Sequence, residues 1–227
     1  MRLVNSKYNL DISIIENVVN VIVIEKPETL AEFVGELLVQ FQDKDGNNII
    51  SDSGDIIKLQ KYAKLIINPF ELDYNDRIIQ KKLFEEISGI VREKFIEETY
   101  NMHGEILSFL DRILYEVPYN VVYNDEENII GLLKLYGVEI EKNENTILEK
   151  IVNYIKVLAR LCRINIIFLV NIKTYLNEEE LVKLYEFVNY EKVHLILIES
   201  TYRKLERKII YEKCCIIDKD YCIINID

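Results

Sequence analysis

The segment 145–200, NTILEKIVNYIKVLARLCRINIIFLVNIKTYLNEEELVKLYEFVNYEKVHLILIES, alternates two helical stretches with two strongly apolar ones. Its pattern predicts a helix opening at Asn145-Thr-Ile-Leu-Glu-Lys, a strand over 164–171, a second helix capped by Leu176-Asn-Glu-Glu-Glu180 and a strand over 193–199. A strand that is apolar on both faces must be covered on both faces, which is typical of a parallel α/β sheet. This segment therefore predicts an α/β fold.

Sites in such sheets usually lie just past the carboxyl ends of the strands. Those positions read Asn171-Ile-Lys173 and Glu199-Ser-Thr201, with no phosphate loop. The first strand–helix junction, Ile24-Glu-Lys-Pro-Glu-Thr-Leu30, is where a P-loop would lie. A P-loop needs glycines and a Lys-Ser/Thr pair, whereas this junction has no glycine and has a proline that lacks an N–H donor. The junction argues against NTP hydrolysis.

The rest of the chain predicts a head built from both ends of the sequence and an inserted helical arm. Short strands are expected at Leu3-Val4, 12–15 and 18–24, with a helix from Pro27 and a strand from Asn48. After Asp52-Ser-Gly-Asp55 we expect a helix that carries Ile56, Ile57, Leu59, Leu65 and Ile66. The predicted domains are 1–66 and 141–227 for the head and 67–140 for the arm.

Within the arm, two long helices are expected over 75–115, broken near Asn101-Met-His-Gly104. A further helix is expected over 124–136, closed by Gly137 in the C′ position. The two long helices carry one-sided apolar stripes with many charges opposite them. Such helices need a partner stripe, so we assign the arm to contacts between subunits.

Composition limits the class of protein. The chain has 227 residues and 49% hydrophobic content, which is ample for a core. Its apolar runs are far shorter than the ~20 residues that span a bilayer, and its N-terminus lacks a signal-peptide pattern. We expect a cytoplasmic protein. The four cysteines, at 162, 214, 215 and 222, form no zinc-type spacing and are expected to be free thiols, and His194 is expected in the core or hydrogen-bonded.

The formal net charge of −11 bears on nucleic-acid binding. Duplex DNA carries one phosphate charge per ~1.7 Å, so a uniformly acidic protein would be repelled. Binding requires that Lys and Arg are gathered on one face, or that cations neutralise the acidic clusters. Taken alone, the composition argues mildly against DNA.

The segment 145–200, together with Gly137-Val-Glu-Ile140 and the tail Ile216-Ile-Asp-Lys-Asp-Tyr221, resembles one family. It is similar to the CRISPR-associated spacer-acquisition protein of type II-A systems, a ring-forming binder of double-stranded DNA ends. The resemblance implies a mostly parallel-sheet, P-loop-NTPase-like α/β head without the phosphate loop. It also implies a non-catalytic homotetramer whose channel binds DNA ends without sequence preference, and partners in the integrase complex of CRISPR adaptation.

Two basic groups are our candidates for DNA contact, although either could be a solvated surface. Lys58, Lys61 and Lys64 recur at i, i+3 and i+6 on the helix expected after Gly54. The other group is Arg203, Lys204, Arg207 and Lys208, just past the strand over 193–199. A third group, Arg77, Lys81 and Lys82, lies in the arm. In a ring, modest patches from four copies would sum, and sequence-independent binding needs only phosphate contacts.

Asp125, Glu126 and Glu127 are the candidate metal ligands. They are expected at the start of a helix, where acids complement the helix dipole without any further role. In the resembled family a longer acidic run at this place is associated with calcium, and only Asp125 and Glu126 match it. Three adjacent acids cannot supply the 6–8 oxygens of calcium without help. Asp43-Lys-Asp-Gly-Asn-Asn48 is interpreted as a polar turn rather than a calcium loop.

Two other classes of function remain open. The first is an enzyme, either a degenerate NTPase or a metal-dependent nuclease, since Glu206-Arg-Lys208 is the acid-x-Lys triplet of restriction-type nucleases. No paired acid on a preceding strand accompanies it, and metal-assisted cleavage needs convergent carboxylates. The second is an acidic scaffold that binds proteins and not DNA.

Overall fold

The computed structural model describes residues 1–204 and 212–226. It divides the chain into two compact units. The head comprises Met1–Asp73 and Asn143–Asp227, and the arm comprises Tyr74–Lys142. The sequence places these boundaries at 67 and 141. Among the described helices, none combines the length and the apolar character needed to cross a bilayer.

The described residues form ten strands and seven α-helices. The first part of the head contains β1 (Arg2–Asn5), β2 (Leu10–Ser13), β3 (Val19–Ile24), α1 (Pro27–Gln40), β4 (Asn48–Asp52), β5 (Asp55–Ile56), α2 (Leu59–Tyr62) and β6 (Ala63–Ile66). The arm contains α3 (Arg77–Lys94), α4 (Ile96–Tyr115) and α5 (Ile129–Leu135). The second part of the head contains α6 (Ile147–Arg160), β7 (Ile166–Val170), α7 (Glu178–Tyr190), β8 (His194–Glu199), β9 (Glu212–Ile217) and β10 (Ile223–Ile226).

The main sheet of the head has six strands in the order β10-β9-β3-β8-β7-β6. Five of them are parallel, and β10 pairs antiparallel with β9 at one edge. Every residue of β3 and of β7 is buried, as the apolar runs require of strands covered on both faces. If the five parallel strands are numbered 1 to 5 in chain order, their order in the sheet is 5-1-4-3-2. The first of them, β3, is therefore an internal strand. The predicted fold class, a mostly parallel α/β head with a helical insertion, is confirmed.

A smaller antiparallel sheet, in the order β2-β1-β4-β5, belongs to the same head. Its inward residues Leu3, Leu10 and Ile50 are buried in one core cluster with Phe33 of α1 and Ile22 of β3. Alternation along β2, buried then exposed, shows that only one face of this sheet is covered. The small sheet and α1 therefore share one face of the main sheet.

Capping explains where the two helices of the decisive segment begin. Thr146 and Glu149 form a capping box at α6, and Asn177 and Glu180 form another at α7. Each box satisfies otherwise unpaired N–H groups at the first turn. Both helix starts that the sequence predicts are confirmed.

The helix predicted after Asp52-Ser-Gly-Asp55 is wrong. β4 and β5 form a hairpin in which Ser51 faces Ile56 and Asp52 faces Asp55. Both residues of its turn, Ser53 and Gly54, have positive φ angles (50° and 96°), as a two-residue hairpin turn of type I′ requires. Only one helical turn, α2, follows before β6 pairs with β7, so pairing within the sheet overrides the apolar spacing of this segment.

The break between the two arm helices is also misplaced by the sequence. It falls at Phe95, whose φ and ψ of −128° and 25° separate α3 from α4. Gly104 stays inside α4. A glycine in a helix interior costs only about 1 kcal/mol relative to alanine, which does not stop a helix of 20 residues.

The last arm helix begins later than the sequence predicts, at Ile129 rather than near Asn124. Asn128 is its N-cap and accepts a hydrogen bond from the Gly131 N–H at 2.6 Å. The Asn124 side chain accepts from the Glu126 N–H at 3.0 Å, a local turn that competes with helix. The C-terminal end of α5 is as predicted: Gly137 has a φ of 61°, and its N–H donates a hydrogen bond to the carbonyl of Lys134.

Candidate nucleic-acid interface

The junction between β3 and α1 replaces the phosphate loop with a contact to the chain's own tail. Lys26, the N-cap residue of α1, makes no side-chain cap, and Pro27 follows it. The Tyr221 hydroxyl accepts hydrogen bonds from Lys26 Nζ at 3.2 Å and from Thr29 Oγ1 at 3.5 Å. The ammonium of Lys26 also lies 5.0 Å from the centre of the Tyr221 ring. A phenol oxygen of the protein itself thus lies at the first turn of α1.

A tight turn between β9 and β10 positions this tyrosine. Asp218 Oδ1 accepts from the N–H groups of Asp220 and Cys222 at 2.9 and 2.8 Å. Tyr221 itself has a φ of 63°. The hydrogen bonds from Thr29 and Lys26 lower the pKa of the Tyr221 phenol because they stabilise its ionised form. The sequence singles out the tail that contains Tyr221, but no sequence pattern indicates its contact with α1.

At the carboxyl ends of β7 and β8, polar side chains bond to the backbone. Asn171 adopts the left-handed conformation, with a φ of 52°. Its N–H donates to the Ile198 carbonyl at 2.8 Å, and its Oδ1 accepts from the Ser200 N–H at 2.9 Å. Asn171 therefore ties the two loops together at the edge of the sheet where α/β proteins usually hold a ligand.

A buried ion pair lies next to these loops. Lys173 Nζ lies 2.7 Å from Glu212 Oε1, and the Tyr185 hydroxyl donates to the same oxygen at 2.6 Å. The Lys173 side chain is 4% exposed and that of Glu212 is 14% exposed. No sequence pattern marks Lys173 as buried, since a lysine in a polar turn is normally exposed. The charges of this network have partners within the head, so we interpret the network as structural.

Glu199, at the end of β8, is a second buried acid. It is 2% exposed, and its Oε1 accepts from the Lys173 backbone N–H at 3.1 Å. Burial raises the pKa of this carboxyl group to about 7, and its hydrogen bonds to the backbone only partly oppose that rise. Glu199 therefore supports the loop after β7 and titrates close to neutral pH.

The first candidate group for DNA contact does not form one helical face. Lys58 is the exposed N-cap residue of α2, Lys61 is exposed within α2, and Lys64 is half-buried in β6. Lys61 Nζ lies 5.0 Å from the centre of the Tyr62 ring, and Lys64 Nζ lies 5.9 Å from that of Tyr154. The predicted spacing on one helix is wrong because β6 replaces the helix after Tyr62.

The second candidate group is partly engaged with the backbone. Arg203 Nη1 donates to the carbonyl groups of Lys173 at 2.8 Å and Leu176 at 3.1 Å. Lys204 is exposed. Arg207 and Lys208, like Glu206 of the acid-x-Lys triplet, lie outside the residues that the structure describes. Arg203 therefore fastens the loop after β7, whatever else it contacts.

The two basic groups lie at opposite ends of the parallel strands. Lys58 and Lys61 precede β6, and the Tyr62 carbonyl accepts from the Asn165 N–H just before β7. Arg203, by contrast, bonds the carbonyl of Lys173, which follows β7. A strand of five residues is about 17 Å long. One copy of the chain therefore does not join the two groups into a single patch.

The three acidic residues proposed for calcium precede α5 and are exposed. The Asp125 carbonyl oxygen lies 2.9 Å from His103 Nε2. In the described parts of the chain, no three side chains of the His, Cys, Asp or Glu type converge as a metal site would require. Asp125, Glu126 and Glu127 of one copy therefore do not supply a calcium coordination sphere by themselves.

Two cysteines of β9 and the histidine of β8 lie in positions that disfavour their charged forms. Cys214 and Cys215 are buried free thiols in β9, and burial raises the pKa of each to about 11. A thiol with so high a pKa is a poor nucleophile and metal ligand. His194 is half-buried, and burial lowers its pKa, so it is neutral at pH 7.

Comparison with known proteins supplies the family. The family model described as CRISPR-associated protein (Cas_Csn2) matches residues 40–221. A CRISPR-associated protein Csn2 from Streptococcus agalactiae is 29% identical over 162 residues, which are 71% of this chain and 63% of that protein. The Enterococcus faecalis protein of the same name is 25% identical over 139 residues, which are 60% of this chain and 55% of the relative. The match thus spans less than two thirds of each relative.

A solved structure supports the fold. The crystal structure of Stu0660 of Streptococcus thermophilus superposes on this chain with a TM-score of 0.64 and 13% sequence identity. The superposition covers 100% of this chain and 76% of the Stu0660 chain. At that identity the likeness concerns the fold alone. The family assignment follows from the sequence match, which extends from the end of α1 to Tyr221. The chain belongs to the Cas_Csn2 family of CRISPR-associated proteins, the type II-A adaptation family that its sequence resembles.

Proposed function

We propose that this chain is a non-catalytic protein that binds the ends of double-stranded DNA, without sequence preference, through the channel of a homotetrameric ring. In this role it supports the acquisition of new CRISPR spacers in the cytoplasm, together with the integrase complex. The observation that carries the proposal is the altered β3–α1 junction: it has no glycine, Pro27 lacks an N–H, and the Tyr221 hydroxyl lies beside Lys26 and Thr29 at the first turn of α1. Family membership in CRISPR adaptation supplies the DNA context.

The arm supports assembly into a ring. On α4, one apolar stripe at helical spacing is exposed, namely Met102, Ile106, Phe109 and Ile113, with exposed fractions of 36%, 40%, 56% and 45%. A neighbouring stripe that contains Leu107 and Leu110 is half-buried. A helix with two apolar stripes needs two partners, and an exposed apolar surface of this kind marks a protein contact.

Repetition in a ring compensates for the separation of the basic residues in one copy. Lys58, Lys61 and Lys204 are exposed and available to phosphates. Phosphate contacts need charge rather than base-specific geometry, so copies of a small cluster around one hole act together. With a net charge of −11, the DNA contact must be confined to such a rim.

Calcium is a further part of this proposal that rests on the family resemblance. Because Asp125, Glu126 and Glu127 do not converge in one copy, additional ligands would have to come from another segment or another copy. Light scattering with and without a chelator tests this point. If the assembly has the same mass with and without the chelator, calcium is not needed for the ring.

The decisive experiment is a gel shift that compares linear with closed circular duplex of the same sequence, with and without calcium. Threading over a free end predicts that linear DNA is bound and that closed circles are not. Equal binding of both forms contradicts end-threading. Absence of binding to either form, at any calcium level, favours the acidic scaffold that binds only proteins.

Two assays test the alternative that the chain is an NTPase or a nuclease. Nucleotide titration should show no binding, because the β3–α1 junction lacks the glycines and the Lys-Ser/Thr pair of a P-loop. Incubation of duplex DNA with magnesium or manganese should leave it uncut. Cleavage that disappears in Glu206→Ala would refute the non-catalytic assignment.

A further inference from the structure

The arm contains a basic pocket that the proposed DNA contacts do not use. A cavity of about 350 Å³ lies between α3 and α5. Its polar lining has three exposed cations, Arg77, Lys81 and Lys134, against one carboxylate, Glu85, together with the amide of Gln80. The buried ring of Phe84 and the partly exposed Ile130 provide its apolar lining.

The cations of this pocket are largely unpaired. Within the described residues, Arg77 and Lys134 have no carboxylate partner. Lys81 lies 3.8 Å from Glu85, but the same carboxylate holds Lys82 more closely, at 2.8 Å. Because like charges at i and i+4, such as Arg77 and Lys81, repel each other on a helix, the arrangement favours an anionic occupant.

The same arm carries a segment with the complementary character. Residues 121–127, Val-Val-Tyr-Asn-Asp-Glu-Glu, have no regular secondary structure and are exposed. The Val122 side chain is 92% exposed. Three to five residues later come Asp125, Glu126 and Glu127, which form no ion pair with any described residue. An apolar anchor followed by acids matches an apolar lining flanked by cations.

In its own copy this segment is held elsewhere. The Tyr123 hydroxyl donates to Asp111 of α4 at 2.6 Å, and the Asp125 carbonyl lies 2.9 Å from His103, also of α4. These contacts keep the segment on α4, whereas the pocket lies between α3 and α5. The pocket therefore remains available to a second molecule.

We propose that segment 121–127 of a second copy of this chain docks in the α3–α5 pocket, with Val122 against Phe84 and Ile130 and its acids against the cations. Each copy carries both halves of the contact, so two copies can make it twice around a twofold axis. DNA phosphates would use the cations but leave the apolar lining exposed, which favours the protein occupant. The inference rests on the proposed assembly and replaces calcium at the acidic residues with an ion-pair contact, so it requires that the assembly keeps its mass in a chelator.

The test begins with Arg77→Glu/Lys134→Glu, measured by analytical ultracentrifugation of the full chain. Reversing both charges turns attraction into repulsion at each contact, so the dissociation constant of the assembly should rise at least about tenfold. An acid suits the helix dipole at Arg77, the first residue of α3, but opposes it at Lys134, in the last turn of α5. Circular dichroism therefore checks that the variant keeps its helices. Arg92→Glu/Lys94→Glu makes the same charge change on α3 outside the pocket and should leave the dissociation constant unchanged.

Charge exchange supplies the second arm of the test. Glu126→Lys/Glu127→Lys should weaken assembly as much as Arg77→Glu/Lys134→Glu does. An equimolar mixture of the two variants, or one chain with all four substitutions, should recover it. If Glu126 and Glu127 were calcium ligands, replacing them with lysine would abolish the calcium site, and the changes at Arg77 and Lys134 would not restore assembly. Recovery of assembly therefore indicates an ion-pair contact and not a calcium site.

The outcomes distinguish this contact from the proposed ring. If the unsubstituted chain is a monomer under all ionic conditions, both fail. If it assembles and the Arg77→Glu/Lys134→Glu variant assembles equally well, or the four-substituted chain does not recover, only this contact is refuted. If the variant assembles normally but loses duplex DNA, the pocket is a DNA contact and the protein occupant is wrong.

Discussion

The head and the arm satisfy their apolar and charged groups in different ways. In the head, β3 and β7 are buried along their whole lengths, and Lys173 and Glu212 pair in the interior. In the arm, α4 exposes an apolar stripe that includes Phe109. Arg77 of α3 and Lys134 of α5 have no carboxylate partner in the part of the chain that the structure describes. The described part of the head thus buries its parallel strands and pairs an interior charge within one chain, whereas the arm exposes apolar and cationic surface that suits contact with another copy.

The difference follows from how the two kinds of element bury their side chains. A parallel strand has two faces, and helices and a second sheet of the same chain cover both in the head. A helix in a two- or three-helix arm has only one covered side, so a second apolar stripe stays exposed until another copy arrives. Substitutions in the head should therefore change stability, and substitutions in the arm should change assembly.

The largest effect is expected from Lys173→Ala. It leaves the carboxylate of Glu212 buried without its cation, and breaking a buried pair from one side costs about 3–5 kcal/mol of unfolding free energy. Urea denaturation measures it, with exposed Lys156→Ala as the control, expected to lie within about 0.5 kcal/mol of the unsubstituted protein. If the Lys173→Ala chain is as stable as the control, the Lys173–Glu212 pair does not stabilise the head.

The next effect is a pH dependence set by Glu199. Its folded pKa, about 7, exceeds the usual 4.5, so the folded state holds the proton more tightly. The corresponding stability is present below pH 4.5 and is lost as the pH rises through 7, by roughly 3 kcal/mol in all. Denaturation curves from pH 5 to pH 8 should show a smaller loss for Glu199→Gln, whose neutral side chain can still accept from Lys173 N–H. Parallel curves for both proteins would contradict the shifted pKa.

In the arm, Phe109→Glu should weaken assembly and leave the stability of the head unchanged. A phenylalanine that becomes buried in a contact contributes about 2 kcal/mol, so the dissociation constant of the assembly should rise about thirtyfold. The midpoint of head unfolding should stay unchanged. Neighbouring Ser108→Glu adds the same charge beside the stripe and should assemble normally, as sedimentation will show. Equal behaviour of the two variants would place the subunit contact elsewhere.

The smallest effect is expected from Tyr221→Phe. The substitution removes the acceptor of Lys26 and Thr29 on the surface of the head, so the melting temperature should fall by no more than about 2 °C. The variant should still bind no nucleotide, because Pro27 and the lack of glycine remain. Nucleotide binding gained by this change alone would show that the phenol was the sole obstacle.

Local rules predicted most of the head. The capping residues Thr146 and Asn177 lie at the helix starts that the sequence indicates, and the apolar runs around 166–170 and 194–199 are the buried parallel strands. These predictions succeed because caps and continuous apolar runs depend on neighbouring residues alone. The absent P-loop was equally readable, since its glycines are either in the sequence or not.

The candidate site was less predictable. Lys58, Lys61 and Lys64 have helical spacing, yet α2 ends at Tyr62 and Lys64 lies in the edge strand β6, because pairing of β6 with β7 outweighs the periodicity of a short segment. Asp125 to Glu127 precede α5 because Asn124 and Asn128 bond the local backbone. Lys173 gave no sign of burial, since its partner Glu212 is 39 residues away.

The sequence by itself determined the α/β class, the starts of α6 and α7, the missing phosphate loop and the family, all of which depend on residue types at short or characteristic spacing. Only the tertiary structure decided that Tyr221 lies against α1, that Lys173 is paired in the interior and that the basic groups stand at opposite ends of the sheet. The reason is physical: these arrangements depend on residues far apart in the chain, with 195 positions between Lys26 and Tyr221 and 39 between Lys173 and Glu212, so they exist only once the chain has folded.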